Sequence, residues 1–121
     1  MRILFLGDVV GVSGCSKIMN NLLNQIKIKN IDFVIVNAEN AAEAGVGLTK
    51  EICQDFFNCG VNVITTGNHV WDQKDIMNFI DKENRLLRPK NLFEPSPGKG
   101  FEIYKTEKNI KIGVLNLMGN V

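Results

Sequence analysis

Four short runs of this chain, RILFLGD (2–8), DFVIVNAE (32–39), VNVITTGN (61–68) and IKIGVLNL (110–117), are near-continuous in Val, Ile, Leu and Phe. A strand with one wet face alternates apolar and polar residues, whereas a strand covered on both faces does not. The runs therefore predict the middle of a parallel sheet, which requires a crossover between successive strands. Helical patterns fill those intervals. Ile18, Leu22 and Ile26 recur four apart within 15–29, with Met19 and Leu23 alongside and Ser13 and Ser16 as candidate caps. Thr49 is placed to cap a second helix bearing Ile52, Cys53 and Phe56, with Glu51 in its positive first turn and Gly60 as its stop. A third pattern runs from Asp72, with Asp75 near its start and Ile76, Met77, Phe79 and Ile80 facing inward.

This alternation of strand and helix sets the fold class as α/β. Between 85 and 100 the pattern breaks, and Pro89, Pro95, Pro97, Gly98 and Gly100 predict a surface loop without regular structure. Beyond it, FEIYK and IKIGVL, joined by the polar TEKN, read as an antiparallel hairpin. At 121 residues, 45% hydrophobic and 22% charged, the chain can bury one core, and a single domain over 1–121 is expected. A net charge of +1 with the signs interspersed gives no electrostatic grip on nucleic acid or an acidic membrane surface.

No apolar run reaches the roughly 20 residues a membrane span needs, and the apolar stretch at the amino terminus runs into Asp8, as a buried strand would. Cys15, Cys53 and Cys59 lack metal-site spacing, and their odd number argues against a disulfide framework. A cytoplasmic location and buried thiols are the expectation.

Ligands of an open parallel sheet bind beyond the carboxyl ends of its strands. The candidates are therefore the residues at which the apolar runs stop: Gly7-Asp8, Ala38-Glu39-Asn40, Gly67-Asn68-His69, and Asn116 near the end of the fourth. Carboxylates, amides and the chain's one histidine gathered at one edge would suit divalent cations such as manganese, iron or zinc. Phosphoester hydrolysis with His69 as proton donor is the matching chemistry. Each residue alone has a plainer reading, as a turn former, a helix cap or a structural imidazole. Their coincidence at three consecutive strand ends is what favours a site. The glycines of GDVVGVSG miss the dinucleotide-binding spacing, and no P-loop lysine follows. Gly45 and Gly47 suit a sharp loop after Glu39, while Trp71 and Asp72 read as packing and capping residues.

GDVVG (7–11), DFVIVNAENAA (32–42), GLT (47–49), GVNVITTGNHVWD (60–72), RLLRPKN (85–91) and VLNLMG (114–119) together resemble the YmdB-type branch of the calcineurin-like metallophosphoesterases. The resemblance covers essentially the whole chain. It implies the N-terminal half of a metallophosphoesterase-type α/β sandwich, a mostly parallel sheet with crossover helices and a C-terminal hairpin. It also implies two divalent metal ions, iron or manganese, and hydrolysis of 2',3'-cyclic nucleotides or RNA-derived phosphodiesters. By the same resemblance Asp8 and Asn40 are ligands of one metal, Glu39 bridges both, Asn68 holds the second, and His69 is the proton donor. Members of the family are longer, and their further half brings histidines that complete both metals. This chain is accordingly expected to be an incomplete domain with half of the dinuclear site and an exposed apolar surface, associating as a homo-oligomer or with a complementary fragment. The alternative is a catalytically inactive remnant that keeps the fold and at most weak metal or nucleotide binding. Cys15 and Asn120 stand where members carry arginines.

Overall fold

In a computed structural model describing residues 1–119, β1 (Ile3–Leu6), β2 (Phe33–Asn37), β3 (Val63–Thr65) and β4 (Leu86–Leu87) form one sheet in that order, every pairing parallel. α1 (Gly11–Lys29) links β1 to β2, and α2 (Lys50–Asn58) links β2 to β3. Between β3 and β4 lies α3 (Ile76–Phe79), continued by a 3-10 turn over Ile80–Lys82. β5 (Phe101–Lys105) and β6 (Lys111–Leu115) pair antiparallel as a separate sheet, as the hairpin pattern predicts. Among the described residues no helix is long and apolar enough to cross a membrane.

The continuous apolar runs of β2 and β3 are explained by what covers them. On one face Val34, Val36 and Ile64 pack with Ile18 and Leu22 of α1, Cys53 and Phe56 of α2, and Ile76 and Ile80. On the other, Phe33, Ile35 and Val63, with Leu87, pack against Ile112 and Val114 of β6 and Tyr104 of β5. Helices, parallel sheet and hairpin are thus stacked as three layers. All three cysteines are buried free thiols, and burial pushes the Cys53 thiol well above its ordinary value. Cys15 donates its thiol proton to the Ala41 carbonyl at 3.3 Å and ties α1 to the loop after β2. Asn120 lies outside the described residues.

Several local expectations are corrected. β1 is an edge strand, and its outer residues Ile3 and Phe5 are 46% and 60% exposed because the hairpin does not reach over them. β6 is not part of the parallel sheet; it alternates, with Ile112 and Val114 buried and Leu115 exposed. α1 starts at Gly11 without a side-chain cap from Ser13 or Ser16. Its first amide donates instead to the Asn40 carbonyl at 2.9 Å, so the loop after β2 does the capping.

The predicted third helix shortens to one turn, and Met77 is exposed rather than inward, because Ile76 and Ile80 alone supply the buried stripe. Asp75 caps α2 rather than its own helix, accepting from the Lys50 amide at 3.0 Å beside the Thr49 hydroxyl, which accepts from Ile52 at 3.3 Å. The 85–100 loop contains β4, because the prolines begin only at residue 89 and leave Leu86 and Leu87 free to pair. The rest is irregular but organised by buried Arg88, whose guanidinium donates to the carbonyls of Pro89, Ser96 and Pro97 and to the Glu94 carboxylate.

Asn116 joins the two sheets. Its buried Nδ2 donates to the carbonyls of Thr66 at 2.9 Å and Leu87 at 3.0 Å, and its backbone amide donates to Gly100. The Leu87 carbonyl keeps a second donor in the Thr66 hydroxyl, whereas among the described residues no other donor reaches the Thr66 carbonyl. Replacing Asn116 with alanine leaves a buried carbonyl unpaired, and denaturant unfolding at neutral pH should show a loss of about 2 kcal/mol. A change near zero would show that the amide does not hold the sheets together.

Candidate functional site

Parallel pairing in level register, Leu6 beside Val36 and Asn37 beside Thr65, brings the ends of β1, β2 and β3 to one edge. Asp8 leaves β1 there, exposed, and its Oδ2 accepts from Asn40 Nδ2 at 2.8 Å. The Asn40 nitrogen is thereby committed, and its amide oxygen is the atom left for another partner. Glu39 folds over the end of β3. A Cβ on Gly67 would stand 2.2 Å from Glu39 Oε2 and 2.5 Å from its Cδ, so only glycine leaves space for that carboxylate. Glu39 Oε2 is buried and has no hydrogen-bond partner. Asn68 is exposed at the tip of β3, and half-buried His69 follows it.

The His69 ring is held by Asp72, whose Oδ2 lies 2.7 Å from Nδ1. Asp72, expected as a capping residue, orients the imidazole instead. An ionised carboxylate only accepts, so Nδ1 carries the proton and Nε2 is the free ring nitrogen. Trp71 packs half-buried against the helix-side core, as expected. The loop between β2 and α2 is closed by Ala42 N donating to Gly47 O at 2.9 Å, with Gly47 at φ 81°. Gly47 lies against Gln73, which donates to the Val46 carbonyl at 3.1 Å and fastens that loop to the His69 segment.

Glu39, Gly67 and Asn68 help to line a groove of about 660 Å³, together with the apolar Ile3, Phe5 and Ile35 and residues of β6. Asn116 borders the same groove, but with its amide committed to the Thr66 and Leu87 carbonyls it is a structural residue, not a polar group aimed into the site. Sequence reasoning passed over Asn37, which lines this groove and whose Oδ1 is also buried without a partner. The available signal was period-two spacing: Asn37 follows Phe33 and Ile35 on one face of β2 and is the polar residue that ends that series.

Among the described residues no three His, Cys, Asp or Glu side chains lie together as a metal-holding group. The oxygen donors are the carboxylates of Asp8 and Glu39 and the amides of Asn40 and Asn68, a set suited to one side of a hard divalent cation. The orphaned Glu39 oxygen fits such an ion, since it is an anionic acceptor buried with no donor in reach.

A parallel sheet with oxygen-rich residues at its carboxyl edge, helices on one face and a hairpin on the other, defines a phosphatase-like α/β fold. Two solved structures share it: a hypothetical protein from Thermus thermophilus (TM-score 0.89, 33% identity, 98% of this chain and 45% of that one) and a novel phosphatase of Mycoplasma pneumoniae (TM-score 0.87, 37% identity, 98% and 43%). The 2',3'-cyclic-nucleotide 2'-phosphodiesterase of Bacillus subtilis strain 168 is 43% identical over 120 residues, 98% of this chain and 44% of that protein. A family model described as YmdB-like protein matches residues 4–121, and the chain belongs to that family. It spans about 44% of its curated relative, corresponding to the N-terminal half.

Nitrogen-15 NMR of the imidazole should find the proton on Nδ1 of neutral His69 and Nε2 unprotonated. In Asp72→Ala that preference should disappear. Equal tautomer populations in the unaltered protein would contradict the role given to Asp72.

Proposed function

We propose that this chain carries one side of a dinuclear metal centre in a phosphodiesterase acting on 2',3'-cyclic nucleotides, and that polypeptide beyond these residues or another chain contributes the other side. The observation that carries the reading is the Glu39 carboxylate, laid over Gly67 with Oε2 buried and unpaired between the ends of β2 and β3. Support comes from the relatives' names and from the donor set at the strand ends. Asp8 and Asn40 would hold one ion and Asn68 the other, with Glu39 between them. Iron or manganese bound there would supply polarisation of the phosphoryl group and activation of a water. Asp72 fixes His69 through Nδ1 and leaves Nε2 uncommitted; once Nε2 takes up a proton, the imidazolium paired with Asp72 would give that proton to the departing ribose oxygen.

Binding without catalysis is the second reading. It is favoured by the lack, among the described residues, of a third acidic, thiol or imidazole ligand. Exposed Ile3 and Phe5 support association of the chain with a second copy or with a complementary fragment that would cover them.

Metal content and cyclic-nucleotide hydrolysis, measured on one purified sample with manganese or ferrous iron, separate the readings. Bound metal with negligible turnover by the isolated chain, and turnover gained when a complementary fragment is added, is the half-site outcome, whereas bound metal with no gain on that addition is the binding-only outcome. Robust hydrolysis by this chain as a monomer would show the site complete and overturn the shared-centre account. No metal uptake at all would overturn the metal reading. In any assembly that does turn over, His69→Ala should cut the rate by about 10²–10⁴-fold with metal binding little changed, while Glu39→Gln should damage both.

Gly67→Ala tests the carboxylate placement. The clash falls on the far end of the long Glu39 side chain, not on backbone, so unfolding stability should change by less than about 1 kcal/mol. Manganese affinity should nevertheless fall by about tenfold or more. Unchanged affinity would mean that the position of this carboxylate is irrelevant to the ion.

A further inference from the structure

Asn37 is the last residue of β2, and nothing in the fold accounts for its side chain. Phe33 and Ile35, on the same face of the strand, are buried beneath Ile112 and Val114 of the hairpin. One step further along, that face carries a carboxamide instead of an apolar group. Its backbone is satisfied, for the carbonyl accepts from Val9 N at 3.2 Å and the residue pairs with Thr65 of β3. Its side-chain Oδ1 is buried and unpaired. Beside it stands Gly7, just past the end of β1, where a Cβ would come within 3.1 Å of Asn37 Cβ, so this neighbour has no side chain to offer a donor.

Asn37 and Glu39 line the same groove, and each presents a buried acceptor with no donor. Two adjacent orphaned acceptors, one of them a carboxylate, call for an occupant that is positive and rich in donors. A hydrated divalent cation meets both conditions. Asn37 ends β2, and Glu39 lies two residues on, in the turn that follows. A neutral carboxamide set back along the chain from the carboxylate suits contact through a water better than direct ligation.

On the metal-centre reading above, we propose that Asn37 is a positioning residue: its Oδ1 accepts a hydrogen bond from a water in the hydration shell of the cation that Glu39 holds. Asn37 thereby fixes where that water stands. Groups just outside a metal's ligands do this elsewhere, and their loss weakens metal binding without removing a ligand.

The test is manganese titration by calorimetry on the 121-residue chain, with thermal unfolding of the metal-free protein, for Asn37→Leu and Asn37→Asp. Leucine removes the acceptor and restores an apolar face, so metal-free N37L should melt at the same temperature or several degrees higher. Its manganese affinity should fall by about tenfold. Aspartate keeps an acceptor in place, and N37D should bind manganese at least as tightly as the unaltered chain. Should leucine not be accommodated, Asn37→Ala removes the same acceptor and gives the same comparison.

N37L that binds manganese normally would overturn the proposal and assign the oxygen to a donor borne by polypeptide covering the groove. Weakened binding together with a destabilised metal-free protein would make Asn37 a structural residue and overturn it equally. So would N37D losing affinity as N37L does. An unaltered chain that takes up no manganese fails both this proposal and the metal-centre reading, whereas normal uptake with an indifferent N37L fails this proposal alone.

Discussion

The parallel pairing of β1, β2 and β3 is the constraint on which the rest of the structure depends. In an up-and-down antiparallel sheet, alternate strands would end at opposite edges; here every strand delivers its carboxyl end to one edge. The register is level, so residues far apart in the chain leave the sheet at the same height. α1 and α2 are what this pairing requires, since each must carry the chain back to the starting edge. Their apolar stripes then hold the strands from one side. The loop after β2 serves two ends, capping α1 through the Asn40 carbonyl while the Asn40 side chain reaches Asp8. Packing and site are therefore built by the same crossovers.

The strands of the core and the gathering of Asp8, Glu39, Asn40, Asn68 and His69 at one edge were legible because they follow from period and order alone. A run such as FVIVN allows little besides a strand buried on both faces. The edge position of β1 was not legible, because RILFLGD reads much like β2 and only the reach of the hairpin distinguishes them. Asp72 and Asp75 show a different limit. Both sit at a helix start in sequence, yet each serves a partner from elsewhere in space or from the preceding turn: Asp75 caps α2 and Asp72 orients His69. Local propensity names the kind of bond an aspartate makes but not the group that receives it.

Three asparagines near the carboxyl edge of the sheet show how partner supply, not residue type, separates structure from function. Asn116 donates to two buried carbonyls and closes the gap between the sheets. Asn40 spends its nitrogen on Asp8 and keeps an oxygen free. Asn37 has a buried oxygen with no partner. The first arrangement stabilises the metal-free protein, whereas the last costs it stability unless something enters the groove. Buried acceptors at Asn37 and Glu39 therefore mark the region where the fold is not optimised for itself.

Exposure of β1 and openness of the site have a common origin. Ile3 and Phe5 lie on the face that the hairpin covers farther along the sheet, and they line the same groove as Glu39 and Asn68. Covering Ile3 and Phe5 would remove apolar surface from water and also exclude water from the polar residues. Lower local dielectric strengthens the attraction between the Glu39 carboxylate and a cation. On the proposed metal-centre reading, cation binding and burial of β1 would be linked, because whatever binds the covered form more tightly also favours covering. A site with few protein ligands can be completed in this way without any change in the strands that carry it.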